Sequence, residues 1–281
     1  MTARFVARRL VVLVVGSCFA VGVQAAGVDP YDGQAHYDFE LYGWLPTAHG
    51  TLNFDLPQAS VLLPTVPTAA SASVSPSSYI GALKFAAMFF AQARKSNAAL
   101  FTDFFYADLS ASSSKIREVS GPGGQVTVPL DLDADLDMHS FAWTAGGSYT
   151  IARGSAATLD LGVGFRYLDL SSALQWNLAA SDVLARTGIA GDSAHLWDGV
   201  VSLYGRIELG GNSRWFIPYY LDGGAGTQSN WTSMAFGGIG YRFNWGSVNA
   251  GYKYLYYSQS GARAFETLSL GGALIGVTFS W

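Results

Sequence analysis

Glu266-Thr-Leu-Ser-Leu-Gly-Gly-Ala-Leu-Ile-Gly-Val-Thr-Phe-Ser-Trp281 ends the chain on an alternating segment. One parity holds Ala273, Ile275, Val277, Phe279 and Trp281, and the other holds Gly272, Gly276, Thr278 and Ser280. Successive side chains of a strand point to opposite faces, so this reads as a β-strand with one oily face and one small, polar face. It is too long and too apolar to stand as an open edge in water, and closing a barrel within lipid removes the edge altogether.

Working outward from that segment, alternation predicts nine more strands. The first, His36 to Leu45, sets Tyr37, Phe39, Leu41, Gly43 and Leu45 against Asp38, Glu40, Tyr42 and Trp44. The second, about Leu83 to Arg94, sets Leu83, Phe85, Ala87 and Phe89 outward against Lys84, Met88, Phe90, Gln92 and Arg94. The third runs about Leu100 to Leu109 with Asp103 and Phe105 inward, the fourth carries Phe141, Trp143 and Tyr149 outward, and the fifth sets Leu159 to Tyr167 against Asp160 and Arg166. The sixth runs Trp197 to Leu209, with Asp198, Tyr204, Arg206 and Glu208 inward, and the seventh runs Trp215 to Asp222. Pro218 interrupts that seventh strand with a residue that cannot donate to a ladder, which predicts a bulge. The eighth and ninth, Trp231 to Phe243 and Val248 to Tyr257, place Met234, Phe236, Arg242, Asn249 and Lys253 inward.

The connections differ in length. Pro46–Ser78, Ser110 to about Asp135 and Ser171 to about His195 read as long loops, while the alternate connections are turns of about four residues, as at Lys95-Ser-Asn97 and Arg153-Gly-Ser155. Short turns on one side and long loops on the other are the asymmetry of transmembrane barrels, with both termini in the periplasm. Outward aromatics fall near strand ends in two girdles: Trp215, Phe279 and Trp281 at one level, and Trp143, Trp197, Trp231 and Tyr254 at the other. The fold class expected is all-β, an antiparallel up-and-down transmembrane barrel of about ten strands, with eight or twelve as the alternatives.

The N-terminus reads as a targeting segment. Arg4, Arg8 and Arg9 form a basic region, Leu10 to Val23 an apolar one, and Ala25 and Ala26 suit a signal peptidase, so residues 1–25 are expected to be a signal peptide and 26–281 the barrel. Val15-Gly-Ser-Cys18 loosely resembles a lipoprotein box, but the apolar run continues past Cys18, which makes lipidation the lesser reading. The chain carries 16 basic and 20 acidic residues; cleavage after Ala25 removes three Arg and no acid, leaving 13 against 20, or about −7. That balance argues against nucleic acid as a partner. Cys18 is the only cysteine, so the remaining chain has no disulfide framework and no thiol nucleophile.

Gly43-Trp-Leu-Pro46, Leu100-Phe-Thr-Asp103, Gly162-Val-Gly-Phe-Arg-Tyr167, Trp215-Phe-Ile-Pro-Tyr-Tyr-Leu-Asp222, Gly240-Tyr-Arg-Phe-Asn-Trp245 and Gly251-Tyr-Lys-Tyr254 resemble Gram-negative outer-membrane barrels related to opacity-type surface antigens. The resemblance implies location and architecture. It implies no reaction and no catalytic residue.

The inward faces place Glu40, Asp103, Asp160, Glu208 and Asp222 against Lys84, Arg166, Arg206, Arg242 and Lys253. A buried charge without a partner is strongly disfavoured, so these ten predict a lumen laced with ion pairs. That points to a plugged barrel with a structural or surface-interaction role and no enzymatic activity. A narrow porin-like path for small solutes is the alternative, and a rim-located hydrolase using His139 or His195 is the second. Asp131-Leu-Asp-Ala-Asp-Leu-Asp137 begins like a calcium loop, but Leu136 stands where the turn glycine belongs and Ala142 where the bidentate Glu belongs. It reads as an acidic strand extension that could share divalent cations with lipopolysaccharide phosphates. No metal site and no cofactor is expected. The partners expected are outer-membrane lipid, lipopolysaccharide and, through the C-terminal strand, the barrel assembly machinery.

Overall fold

The alternating segments pair in sequence order, each antiparallel to the one before. The structure, a computed structural model, describes residues 29–53, 69–112, 132–180, 184–210, 214–226, 229–259 and 265–281. Its strands are β1 (Ala35–Asn53), β2 (Ala69–Val74), β3 (Leu83–Lys95), β4 (Ala98–Ser112), β5 (Leu132–Arg153), β6 (Ala157–Ala180), β7 (Leu184–Glu208), β8 (Trp215–Gly226), β9 (Trp231–Arg242), β10 (Gly246–Ser258) and β11 (Phe265–Ser280), with one helical turn, α1 (Pro76–Tyr79). The order β11 to β3, then β1, is closed by β11 pairing with β1, which makes a barrel of ten staves with β2 as a short extra piece. The signal-peptide reading of residues 1–25 and the Cys18 reading fall outside the described residues.

Closure is made by the segment that ends the chain. β11 pairs with β1 from Asp38↔Ser280 to Leu52↔Phe265, and the Tyr37 and Trp281 backbones exchange hydrogen bonds of 2.8 and 3.0 Å. Leu274, in the middle of the small-residue parity, lies on the inner face and is buried in the core. Both ends of the barrel wall are therefore tied together at one rim, where the tight turns also lie. The sharpest is Ser96-Asn97 between β3 and β4, with Ser96 at φ 52°, the left-handed geometry that two-residue hairpins need.

Three expected loops are partly sheet. β1 continues to Asn53 and pairs there with β2, and β4 and β5 extend to Ser112 and from Leu132. Ser171 to His195, read as a loop, is a hairpin: β6 and β7 stay in register from Ala157↔Ile207 to Ala180↔Leu184. A tilted strand needs about 9–11 residues to cross the hydrocarbon. At 24 and 25 residues, β6 and β7 rise well past that, whereas β8 and β9 have 12 each.

Pro218 is handled without a bulge. The β8–β9 ladder lapses at Ile217 and Pro218 and resumes at Tyr219↔Gly237 in the same register. Pro218 still faces Arg206 on β7. The missing donor is thus accommodated by omitted rungs.

The wall is irregular where β1 passes from β3 to β2. Between Leu41↔Phe89 and Ala48↔Val74, the six residues Tyr42–Thr47 of β1 face the fourteen residues Ser75–Met88 of the opposing stave. The excess holds α1. Two β1 backbone groups at this seam are satisfied by side chains: Trp44 N–H by Met88 Sδ at 3.3 Å, and Pro46 C=O by the Tyr79 hydroxyl at 2.8 Å. Unpaired backbone groups inside a wall are costly, which explains why side chains take the place of the missing rungs.

Candidate functional site

The inward parity builds the lumen, and its contents divide it into two halves. Toward the loop end, Trp44, Phe105, Leu168, Leu196, Leu255 and Tyr257 belong to a buried apolar cluster that fills the interior, with Trp44 and Leu196 at 1% exposure. Trp44 packs edge-on against Phe105 with centroids 5.4 Å apart, and its indole N–H donates to the Lys253 carbonyl at 3.2 Å. Toward the terminal end the lumen opens into a cup of about 490 Å3.

Polar groups cross the interior between these halves. Lys253 Nζ donates to Asp103 at 2.5 Å and to the Tyr42 hydroxyl at 2.9 Å, while Tyr42 donates to the other Asp103 oxygen at 2.7 Å. Arg166 pairs with Asp222, and its remaining donors reach Thr144 and Thr232, each at 3.0 Å. Asp222 also accepts from the Tyr220 hydroxyl and the Met234 N–H, both at 2.8 Å. Buried charges persist when paired and hydrogen-bonded, and these are both.

Nearer the terminal rim, Arg94 bonds Asp160 at 2.5 Å, and Thr150 donates to the same carboxylate. Arg206 and Arg242 share one acid, Glu208, at 3.0 and 2.9 Å. Glu40 departs from the expected pairing: Asn249 at 3.1 Å and Thr278 at 3.3 Å are the donors it meets, and no cation bridges it among the described residues. A Cβ at Gly276 would strike that carboxylate, so the glycine is what lets Glu40 lie across β11.

Lys84 is not in the lumen. The β3–β4 register shifts between Leu83 and Phe85, so Lys84 is the extra residue of a bulge and is exposed, while Leu83, read as outward, packs on the core. A one-residue insertion inverts side-chain parity, which is why both residues exchange faces.

The aromatic residues read as girdles form contact chains on the outer wall. At the terminal end, Trp215, Tyr241, Phe243, Trp245 and Phe279 follow one another at 4.9 to 5.6 Å, and Trp281 stacks on Tyr37 at 6.0 Å. Toward the loop end, Phe104, Phe141, Tyr167 and Trp197 do the same at 4.6 to 5.7 Å. Trp143 packs on Phe165 at 5.0 Å and gives its indole N–H to Thr102. Trp197, Trp231 and Tyr254 are exposed.

Parity places Thr144, Thr150, Tyr220 and Asp198 inward; what it does not show is that the first three, with Thr232, complete these networks. Asp198, 2% exposed, accepts from Ser229. His139 lies 3.4 Å from Asp108 and His195 3.2 Å from Asp169, with exposed imidazoles and half-buried carboxylates on the outer wall near the loop end. Asp133, Asp135 and Asp137 continue β5 as a strand, and Asp131 lies outside the described residues. Among the described residues no cluster of His, Cys, Asp and Glu has the arrangement of a metal site.

No protein-family model matches the sequence, and no curated protein does. Solved structures do resemble the fold. The outer membrane protease OmpT of Escherichia coli aligns over 91% of this chain and 99% of its own, with 7% identity and a TM-score of 0.49. The translocator domain of the autotransporter NalP of Neisseria meningitidis aligns over 89% of each chain at 13% identity and a TM-score of 0.41. Ail, the attachment invasion locus protein of Yersinia pestis, aligns over 88% of this chain and 99% of its own at 8% identity and a TM-score of 0.32. At these identities and scores the likeness extends to barrel architecture alone.

Proposed function

We propose that this chain is a plugged outer-membrane barrel whose role is structural or surface-interacting and not enzymatic, with the loop end outside the cell and the termini in the periplasm. The observation that carries the reading is the filled lumen: the apolar cluster around Trp44 and the Arg166–Asp222 and Lys253–Asp103 pairs occupy the path between the cup and the loop end. Leu100, Val163 and Ile275, 62 to 69% exposed, are among the many large apolar residues on the outside of the wall. That surface is at home in lipid and not in water. The aromatic chains at two levels sit where such rings favour a membrane interface.

The surface role has its own support. Among the described residues, β7 from Leu184 to Trp197 pairs with β6 alone, so a row of backbone donors and acceptors stands on one edge beyond the main wall. Such an edge can accept an added strand from a partner. The motifs similar to opacity-type surface antigens agree with this reading, as do lipid and lipopolysaccharide as surroundings. The terminal aromatic strand suits recognition by the assembly machinery.

Location is tested by labelling intact cells with a membrane-impermeant maleimide. A cysteine in place of Ser193 should react in whole cells, and one in place of Asn244 only after the outer membrane is opened. The reverse pattern would sink the orientation.

A further inference from the structure

The cup is built as a binding site as well as a blind end. It adjoins a second cavity of about 540 Å3 at the terminal rim, and the two share Asp29, Pro30, Tyr31, Thr158, Arg206 and Arg242. A few hundred Å3 is the size of small-molecule sites, which combine apolar walls with a few placed polar groups.

Around the second cavity bases outnumber acids, while the cup beside it adds Asp38, Glu40, Asp103 and Asp160 against Arg94 and Lys253, so the cationic end of the joined space is the rim. Arg153, Arg206 and Arg242 line the second cavity with Asp29 and Glu208 as the acids. Arg206 and Arg242 share the one Glu208 carboxylate, and Arg153 has exposed Asp29 at 4.0 Å. The Arg206 Nε is buried without a hydrogen bond of good geometry. Glu208 is the acid it pairs with among the described residues. A guanidinium fork that shares its one acid with a second arginine beside a cavity is matched to a further carboxylate or phosphoryl group, which it can hold through two parallel bonds.

The walls supply the other half of the recognition. Arg242 lies over the Phe216 ring at 5.4 Å, and Tyr220 stacks with Tyr204 at 5.9 Å. The Tyr31 ring roofs the rim, with the Arg153 and Arg94 guanidinium groups 4.6 and 5.1 Å from its centroid. Fixed aromatic faces beside an anion-binding fork fit a flat or slender apolar body carrying one acidic head.

We propose that the joined cavities bind a small organic anion, its carboxylate or phosphonate head on Arg206 between Arg153 and Arg242, and its apolar body in the cup along Phe216 and Tyr220. The closed floor at Lys253 and Asp103 makes this a docking site, not a stage of transit. The site is independent of which side of the membrane the cup faces.

The test is titration calorimetry on protein expressed from the full chain and purified in neutral detergent, with benzoate, phenylphosphonate and benzyl alcohol as probes. Both anions should saturate one site, and the alcohol should bind at least tenfold more weakly. Arg206→Ala should weaken both anions tenfold or more, with Arg206→Lys between, in barrels that keep heat-modifiable gel mobility. Equal binding of alcohol and anion, or Arg206→Ala binding like the parent, overturns the proposal. Should Arg206→Ala fail to fold, Phe216→Trp, which fills the cup and keeps every arginine, must abolish binding; undiminished binding by that variant overturns it equally.

Discussion

Arg166, on β6, meets Asp222, on β8, across the inside of the barrel, passing over the intervening strand, with the two side chains 1% and 0% exposed. Thr144, Thr232, Tyr220 and the Met234 N–H satisfy the remaining donors and acceptors. The pair therefore ties strands that no ladder joins. Removing one partner leaves the other buried and uncompensated, at a cost of about 3–5 kcal/mol. Arg166→Ala should lower the temperature of the heat-modifiable gel transition sharply, and Arg166→Met with Asp222→Leu should recover most of the loss. A single variant as stable as the parent would show the pair to be incidental.

Gly240 faces Phe216 across β8 and β9, and a Cβ there would run into the ring. Overpacking of this kind costs about 1–3 kcal/mol. Gly240→Ala should destabilise the barrel in urea by that amount, and adding Phe216→Leu should relieve it. Failure of the second change to compensate would mean that the ring does not lie over β9.

The seam between β1 and β3 should be the soft part of the wall. Trp44 N–H has a thioether as acceptor, where Glu40, lower on the same strand, pairs with Phe90 in a regular ladder. Amide exchange measured by NMR should be faster at Trp44 than at Glu40. Tyr79→Phe, which strips the Pro46 carbonyl of its donor, should cost about 1 kcal/mol and speed exchange at Trp44 further.

At the terminal rim the Asp32 carboxylate accepts from the Gln34 N–H at 2.7 Å and pairs with His36 at 2.8 Å. The His36 hydrogen bond, then the Gln34 N–H, holds its pKa below the usual 3.8. A lowered carboxylate pKa makes the contact favourable above the ordinary value and lost as pH falls through the depressed one. The His36 imidazole resonances should report the Asp32 contact at pH 5 and lose it below that depressed value, and Asp32→Asn should remove the acid-side change.

Much of this was legible beforehand because period-2 alternation is strong wherever one face meets lipid and the other a packed lumen. The ten staves, their order and the inward set from Glu40 to Lys253 follow from it. It fails at Ser171 to His195, where the parity that was apolar up to Tyr167 turns polar at Asp169, Ser171, Gln175 and Asn177 while Leu170, Leu174, Trp176 and Leu178 carry the apolar residues on the other parity, so the outward pattern that marked the strand ends. It fails at Lys84 because a bulge inverts parity without changing composition. Parity placed Arg166 and Asp222 inside without pairing them, since partners on non-adjacent strands depend on how the barrel staggers. Glu40 kept a place inside without a cation because Gly276 and two neutral donors make room for it.

Single-channel recording in a planar bilayer tests the plugged lumen most directly. The protein and its Arg206→Ala variant should both be silent under conditions where heat-modifiable mobility confirms closed barrels, because the apolar cluster around Trp44 closes the path beyond the cup. Reproducible conductance steps in the parent that change size with Arg206→Ala would contradict the account and make the charged lumen a channel.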